Sequence, residues 1–401
     1  MLRTVKKPLS YLKGKAHAYL KNRQGIKRKE RIEERLKNID ITPKNFCFDE
    51  FKVKVLRFIT SMQVDQSGIK YRYSASCGQT TLYASVYACM TLSLIGDFKK
   101  ISSNIRKEWS DYFNSFQKAE DGLFYDSMVD NEIYDQSDWW GARHLALHMI
   151  SAYTDLDTKP AFPFRFLEKY YNLDKLEKWL SSYDWNQAFS NTNDIDNKLM
   201  NIGCLLQYQR DSWKDKDAEN VVIFLQKYLL EKINPNTGMW GIYDIADPYQ
   251  RSRMVQFAYH LYPLFFYDRI DIPHRERIVQ NVLATQNSLG GFGVKSNSSA
   301  CEDIDSIDIL IRLAPLVPTY QSQIDSALHK AFRWIMCNQV DDGGFVFRLE
   351  EQMIYGHKEM SSNNNCGAMF PTWFRCLSLA YMAKYFNISG FKVNSAPGLE
   401  N

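Results

Sequence analysis

Two aspartates stand two residues apart at the head of an apolar segment: Asp303 and Asp305, in Ser299-Ala-Cys301-Glu302-Asp303-Ile-Asp305-Ser306-Ile-Asp308. A carboxyl group set among apolar neighbours and close to other acids keeps its proton to higher pH and can then serve as a proton donor. Ser299 and Glu302 have the spacing of a capping box, which gives Glu302 a helix-starting role. Asp308 and Arg312 have the spacing of an i,i+4 ion pair. Asp303 and Asp305, which precede an otherwise apolar helix, are less readily explained by capping or pairing and stand as candidate acids.

Other polar stretches ahead of apolar segments carry groups that bind or stack. In Ser137-Asp138-Trp139-Trp140-Gly141-Ala-Arg143-His144, Trp139 and Trp140 can shield a cation, stack a sugar ring, or pack between helices. His144 and His148 lie one helical turn apart, a metal-ligand spacing, but no third ligand is evident and no metal is expected. In Asp247-Pro248-Tyr249-Gln250-Arg251-Ser-Arg253, Asp247 and Pro248 read as a helix start. Arg251 and Arg253 can clamp a diphosphate or carboxylate, or balance acids at a rim. Tyr249, Phe370 and Trp373 join the candidate substrate-binding set, and Asp194 and Asp196 are further candidate acids.

These stretches recur because the chain repeats. Gln286-Asn-Ser-Leu-Gly290-Gly-Phe292 matches Gln339-Val-Asp-Asp-Gly343-Gly-Phe345, and Asn234-Pro-Asn-Thr-Gly238-Met-Trp240 has the same spacing. Looser copies end at Gly68 and Gly122. The glycine gaps are 54, 116, 52 and 53 residues, so a degenerate copy falls near Tyr183-Asp-Trp185 and six units follow. In each unit a mixed, apolar-periodic helix runs into the turn, and a more apolar helix follows the polar loop. The second helices are expected at Leu82–Ile95, Ala142–Tyr153, Leu199–Gln207, Met254–Phe266, Ile304–Ala314 and Trp373–Tyr385. Six such hairpins, with strand-like alternation nearly absent, predict an all-α (α/α)6 toroid with the apolar helices inside. The loops then deliver six inner-helix N-termini to one mouth, where function is expected.

The Gln-x-x-x-Gly-x-Phe/Trp turns resemble the repeats of squalene cyclases, and residues from about 50 to 387 look like the terpenoid cyclase and protein prenyltransferase toroid family. Asp303-Ile-Asp305-Ser306 resembles the Asp-x-Asp-Asp motif of class II terpene cyclases. That resemblance implies that Asp305 protonates an alkene or epoxide in an aromatic-lined cavity, although Ser306 replaces the last acid. Prenyltransferases of this family hold zinc with Asp, Cys and His. Here Cys301 and Asp303 are present, but Pro371 stands where their His is expected and His357 is the only substitute nearby, so zinc is not expected. No cofactor is implied, except Mg2+ if the substrate is a diphosphate.

Composition narrows the classes further. Of 401 residues, 57 are Phe, Tyr or Trp, which suits an aromatic lining or simply aromatic packing. No zinc finger, helix-turn-helix, phosphate-cradling glycine loop or nucleophile elbow appears, and nucleic acid is not an expected partner. The cysteines form no Cys-x-x-Cys and fit a reducing cytoplasm, and the start of the chain lacks the apolar core of an export signal. Residues 1–37 hold 13 Lys/Arg and three acids, net +10, against −6 for the remainder of a chain of net +4. With helical apolar spacing from Leu2 to Leu20, this reads as a basic amphipathic arm, 1–45, outside a toroid of 46–387 and a tail of 388–401. The arm suits an anionic membrane surface, or is a solvated basic tail. The expected function is an isoprenoid-handling enzyme with proton-initiated cyclisation, acting on a hydrophobic or lipid-linked substrate. The alternatives are a carbohydrate-active (α/α)6 hydrolase, lyase or epimerase, or a toroid that only binds.

Overall fold

The computed structural model describes residues 25–96, 98, 102–129, 138–187 and 194–398. Six helices carry a narrow apolar stripe: α1 (Phe48–Ser61), α3 (Ser103–Asn114), α5 (Leu173–Ser181), α7 (Lys216–Glu231), α10 (Arg275–Leu283) and α12 (Gln321–Cys337). In α1 only Phe51, Val55, Phe58 and Ile59 are buried, one face at helical spacing. Six others are buried on most or all sides: α2 (Leu82–Leu94), α4 (Ala142–Leu156), α6 (Ile195–Trp213), α8 (Pro248–Leu261), α11 (Ala300–Leu313) and α13 (Met369–Phe386). Every residue of α2 is buried, so it must be wrapped by protein. A short helix α9 (Pro263–Tyr267) follows α8.

The inner helices close a ring. α2 packs on α4, α4 on α6, α6 on α8, α8 on α11, α11 on α13, and α13 returns to α2. This is the all-α (α/α)6 toroid that the repeats predict. The repeated turns tie each hairpin to the next. Gln286 Nε2 donates to Gly290 O (2.9 Å) across its own turn and to Ala327 O (2.8 Å) on the next outer helix. Gln117 Nε2 likewise donates to Gly122 O (2.8 Å) across its turn and to Phe162 O (2.9 Å) in the loop that leads to α5. Gly343 closes the circle: its φ is +96°, and a Cβ there would lie 2.1 Å from Lys54 O of α1, so no side chain fits.

Two features depart from the sequence expectation. The first is a two-stranded antiparallel hairpin, β1 (Met353–Tyr355) and β2 (His357–Ser362), in the loop between α12 and α13. Its turn residue Gly356 (φ +73°) lies so close over Trp140 that a Cβ would sit 2.2 Å from the indole. The second is the basic arm, expected to stand outside the toroid. Residues 25–37 form a helix docked on it. Ile32 is buried with Leu289, Trp334, Val346 and Leu349, Arg28 pairs with Glu351 at 2.8 Å, and Arg35 donates to Cys337 O and Gln339 O. Apolar burial and specific acceptors hold this stretch where charge counting foresaw a free arm. The remaining arm, residues 1–24, lies outside the described residues. Among the described residues no helix is long and apolar enough to cross a membrane.

Candidate active site

A cavity of about 590 Å³ opens at the N-terminal ends of the inner helices. Local capping explains why acids arrive there. Ser299 Oγ accepts from Glu302 N (3.2 Å) while Glu302 Oε2 accepts from Ser299 N (2.8 Å), which starts α11 and turns Asp305 inward. Asp247 Oδ1 accepts from Tyr249 N (2.9 Å) and starts α8, which carries Arg253, Gln256 and His260 to the same wall. Trp139, His144 and His148 come from α4 and the residues before it, Phe370, Trp373 and Phe374 from α13, and Tyr355 from the hairpin that covers one side.

Asp305 is almost completely buried and lines the cavity. Burial, and then the charge of Glu302, pushes its carboxyl well above the ordinary carboxylate range, which favours the protonated form that a proton donor needs. On α6, separated from α11 in the ring by α8, stands a contrasting acid. Asp196, in the first turn of α6, is fully buried and accepts from Arg253 Nη1 (3.0 Å) and Nη2 (3.2 Å). His260 Nδ1 lies 2.9 Å from its Oδ2. Burial opposes ionisation of Asp196, but His260 and Arg253 outweigh it and hold the carboxyl below its usual value. The ionised Asp196 accepts from His260 Nδ1–H, which fixes the imidazole ring in place and leaves Nε2 as its other polar atom.

A second imidazole cluster occupies the α4 side. His144 Nε2 lies 3.3 Å from both Tyr355 Oη and His148 Nε2, and its Nδ1 lies 3.2 Å from Tyr83 Oη. Burial, with His260 adding, pushes His144 down to about 3, and His148 falls well below its usual value by burial and then His144. Both are neutral. Among the described residues no three His, Cys, Asp or Glu side chains converge to hold a metal ion.

The structure thus brings Asp305, Trp139, His144, Arg253, Phe370 and Trp373 to one cavity. Four expected site residues lie elsewhere. Asp303 faces away and accepts four hydrogen bonds, from Phe292 N and Ser298 Oγ (both 2.8 Å) and from Trp334 Nε1 and Arg375 Nη1 (both 2.9 Å). Saturated in this way, it anchors α11 to α12 and α13 and has no lone pair left for a substrate. Trp140 is fully buried under the hairpin and stacks on Tyr83 with ring centroids 6.2 Å apart. Tyr249 is half exposed on the outer rim of α8, and Arg251 bonds back to Ile245 O beside a separate surface pocket. One turn of α8 separates the rim from the wall, and sequence alone does not say on which side of the helix Arg251 and Arg253 fall. His260 and Tyr355 are missed by sequence reasoning. The one usable signal was Asp196 at a helix start, which needs a buried partner.

The sequence matches no protein-family model and no curated protein sequence. Among solved structures, the chain is similar to an unsaturated glucuronyl hydrolase from Streptococcus agalactiae, with 11% identity and a TM-score of 0.49 over 90% of this chain and 96% of that one. It is also similar to a type II terpene cyclase from Scytonema, with 9% identity and a TM-score of 0.48 over 84% and 97%. A glycosyl hydrolase from Bacteroides vulgatus shows 10% identity and a TM-score of 0.46 over 86% and 100%.

Proposed function

We propose that this chain is a carbohydrate-active enzyme working by acid–base catalysis at the inner-helix N-terminal mouth. The observation that carries the reading is a pair of buried acids driven in opposite directions: Asp305, raised by burial on the cavity wall, and Asp196, held below its usual value by the His260 and Arg253 that line the same cavity. Groups whose surroundings drive their protonation apart are the usual acid and base of a site. Asp305 donates its proton to the leaving glycosidic oxygen. His260 Nε2 takes one from water, or from a sugar carbon in an elimination or epimerisation. Trp139, 44% exposed at the rim, offers a face on which a sugar ring stacks. Asn197, Gln256 and Gln352 offer amides for hydroxyl groups.

Isoprenoid cyclisation is the second reading, favoured by the aromatic wall of Tyr355, Phe370, Phe374 and Trp373 beside a protonated Asp305. Tyr355 and Phe370 stack with centroids 4.6 Å apart. Against it, the neutral imidazoles of His144 and His148 line the same cavity, and a neutral imidazole captures a carbocation or removes its proton early. The test is incubation with panels of acidic and neutral oligosaccharides and, separately, polyprenyl diphosphates and polyene epoxides, read by mass spectrometry. The products are separated by chromatography before mass detection, because cyclised and epimerised products keep their substrate's mass; new products confined to the saccharide panel support the proposal, and new products from the polyenes alone reject it.

A further inference from the structure

After α13 the chain turns back into the ring. Lys392 N donates to Leu94 O (2.8 Å) at the C-terminal end of α2. Asn394 Nδ2 donates to Asp155 Oδ1 (2.7 Å) and to Ser93 Oγ (3.3 Å), in the last turns of α4 and α2. Ala396 and Pro397 are buried. Gly398 then lies against Leu147 and Cys204: a Cβ there would meet Cys204 Sγ at 3.3 Å and Leu147 Cδ1 at 3.4 Å. Asp155 and Leu147 are two turns apart on α4, about 12 Å of helix. The segment therefore climbs along the inside of the ring, from the C-terminal mouth to the cavity that Gly398 lines.

We propose that residues 392–398 are the built floor of the active-site cavity. Among the described residues they close the inside of the ring, so that the cavity is blind at that end, opens at the inner-helix N-terminal mouth beside Trp139, and takes a substrate by its chain end. Without the segment, the α2, α4 and α6 side of the ring would open toward the C-terminal mouth, and a chain could thread through. Asn394 is the positioning residue, because its amide fixes the segment to two inner helices at once. The end-entry consequence rests on the carbohydrate reading; the floor itself does not.

Native-state alkylation by N-ethylmaleimide, read by peptide mass spectrometry, tests the floor without turnover. Cys204 is fully buried beneath Gly398, while Cys376 and Cys337, buried in and beside α13, serve as internal controls. Deleting residues 394–401 is expected to speed Cys204 labelling at least about tenfold while the controls stay protected, as for a local opening. Asn394→Ala is expected to speed it less, in the same selective way. Continued protection of Cys204 in the shortened chain overturns the proposal. If the shortened chain labels its controls too, it has lost its fold and Asn394→Ala decides: a selective rise supports the floor, and an unchanged rate overturns it. With an oligosaccharide ladder that the enzyme turns over, the intact chain is expected to act from one end, and internal action overturns end entry. If no saccharide is turned over, the carbohydrate reading fails while the labelling result still judges the floor.

Discussion

Asp303→Asn and Asp305→Asn, two residues apart, are expected to have opposite effects on stability. Asp303 accepts four hydrogen bonds, and one donor is Arg375, whose side chain is fully buried and whose other donors reach Val346 O, Phe347 O and Ser298 O. An amide cannot balance that guanidinium. Removing one partner of a buried ion pair costs about 3–5 kcal/mol, a large part of a total stability of about 5–15 kcal/mol. At about 2 cal/mol/K of unfolding entropy per residue, a ring that unfolds as one unit loses roughly 4–6 °C in Tm. Asp305 has the reverse sign. Its raised folded-state pKa means that the folded chain keeps a proton the unfolded chain has released. Stability linked to this group is therefore full below about pH 4 and falls by about 1.4 kcal/mol per pH unit above it, up to the folded pKa. Asn has no proton to hold. Asp305→Asn should match wild type near pH 4 and equal or exceed it at pH 7. Urea unfolding of both variants at pH 4.5 and 7 checks this. An Asp303→Asn chain as stable as wild type, or an Asp305→Asn chain that is weaker at pH 7 than at pH 4.5 relative to wild type, refutes the reasoning.

Gly343→Ala should destabilise the ring by at least about 1–3 kcal/mol in urea titration, because a positive φ and the Lys54 carbonyl both exclude a Cβ; an unchanged midpoint would mean that α1 does not close the circle there. Trp139→Ala should raise KM by about 2- to 12-fold with an unchanged Tm, the worth of one aromatic stacking contact at an exposed rim. Residues 1–24 carry seven Lys/Arg and no acid. Deleting them should abolish sedimentation with phosphatidylglycerol-rich vesicles at low salt and leave Tm unchanged, because the docked helix 25–37 remains; equal binding to neutral vesicles removes the membrane role.

The architecture was legible because each unit repeats its turn chemistry. Glycine gaps of 54, 52 and 53 residues, with one of 116 that spans two units, count the hairpins, and apolar periodicity separates α2, which is buried all round, from α1, which buries one stripe. Local chemistry was equally legible: the Ser299–Glu302 capping box and the Asp308–Arg312 pair at 2.8 Å are as the spacing predicts. Legibility ends where partners come from different hairpins. Asp303 meets Arg375 72 residues away, and Asp196 meets His260 64 residues away. Closure of the ring creates both encounters, and it pairs Asp303 with the Arg375 guanidinium while Asp305, two residues on, faces the cavity, a difference that no local pattern records. The hairpin of β1 and β2 and the return of residues 392–398 are single insertions into the repeat, outside its period.

The central claim is that Asp305 delivers the proton. The most direct measurement is the single-turnover rate of Asp305→Asn on the saccharide that the wild type turns over, with Tm recorded alongside. Loss of a general acid predicts a fall of about 10²- to 10⁴-fold with the fold intact. A variant that is folded and turns over at the wild-type rate contradicts the account and leaves Asp305 a buried structural acid.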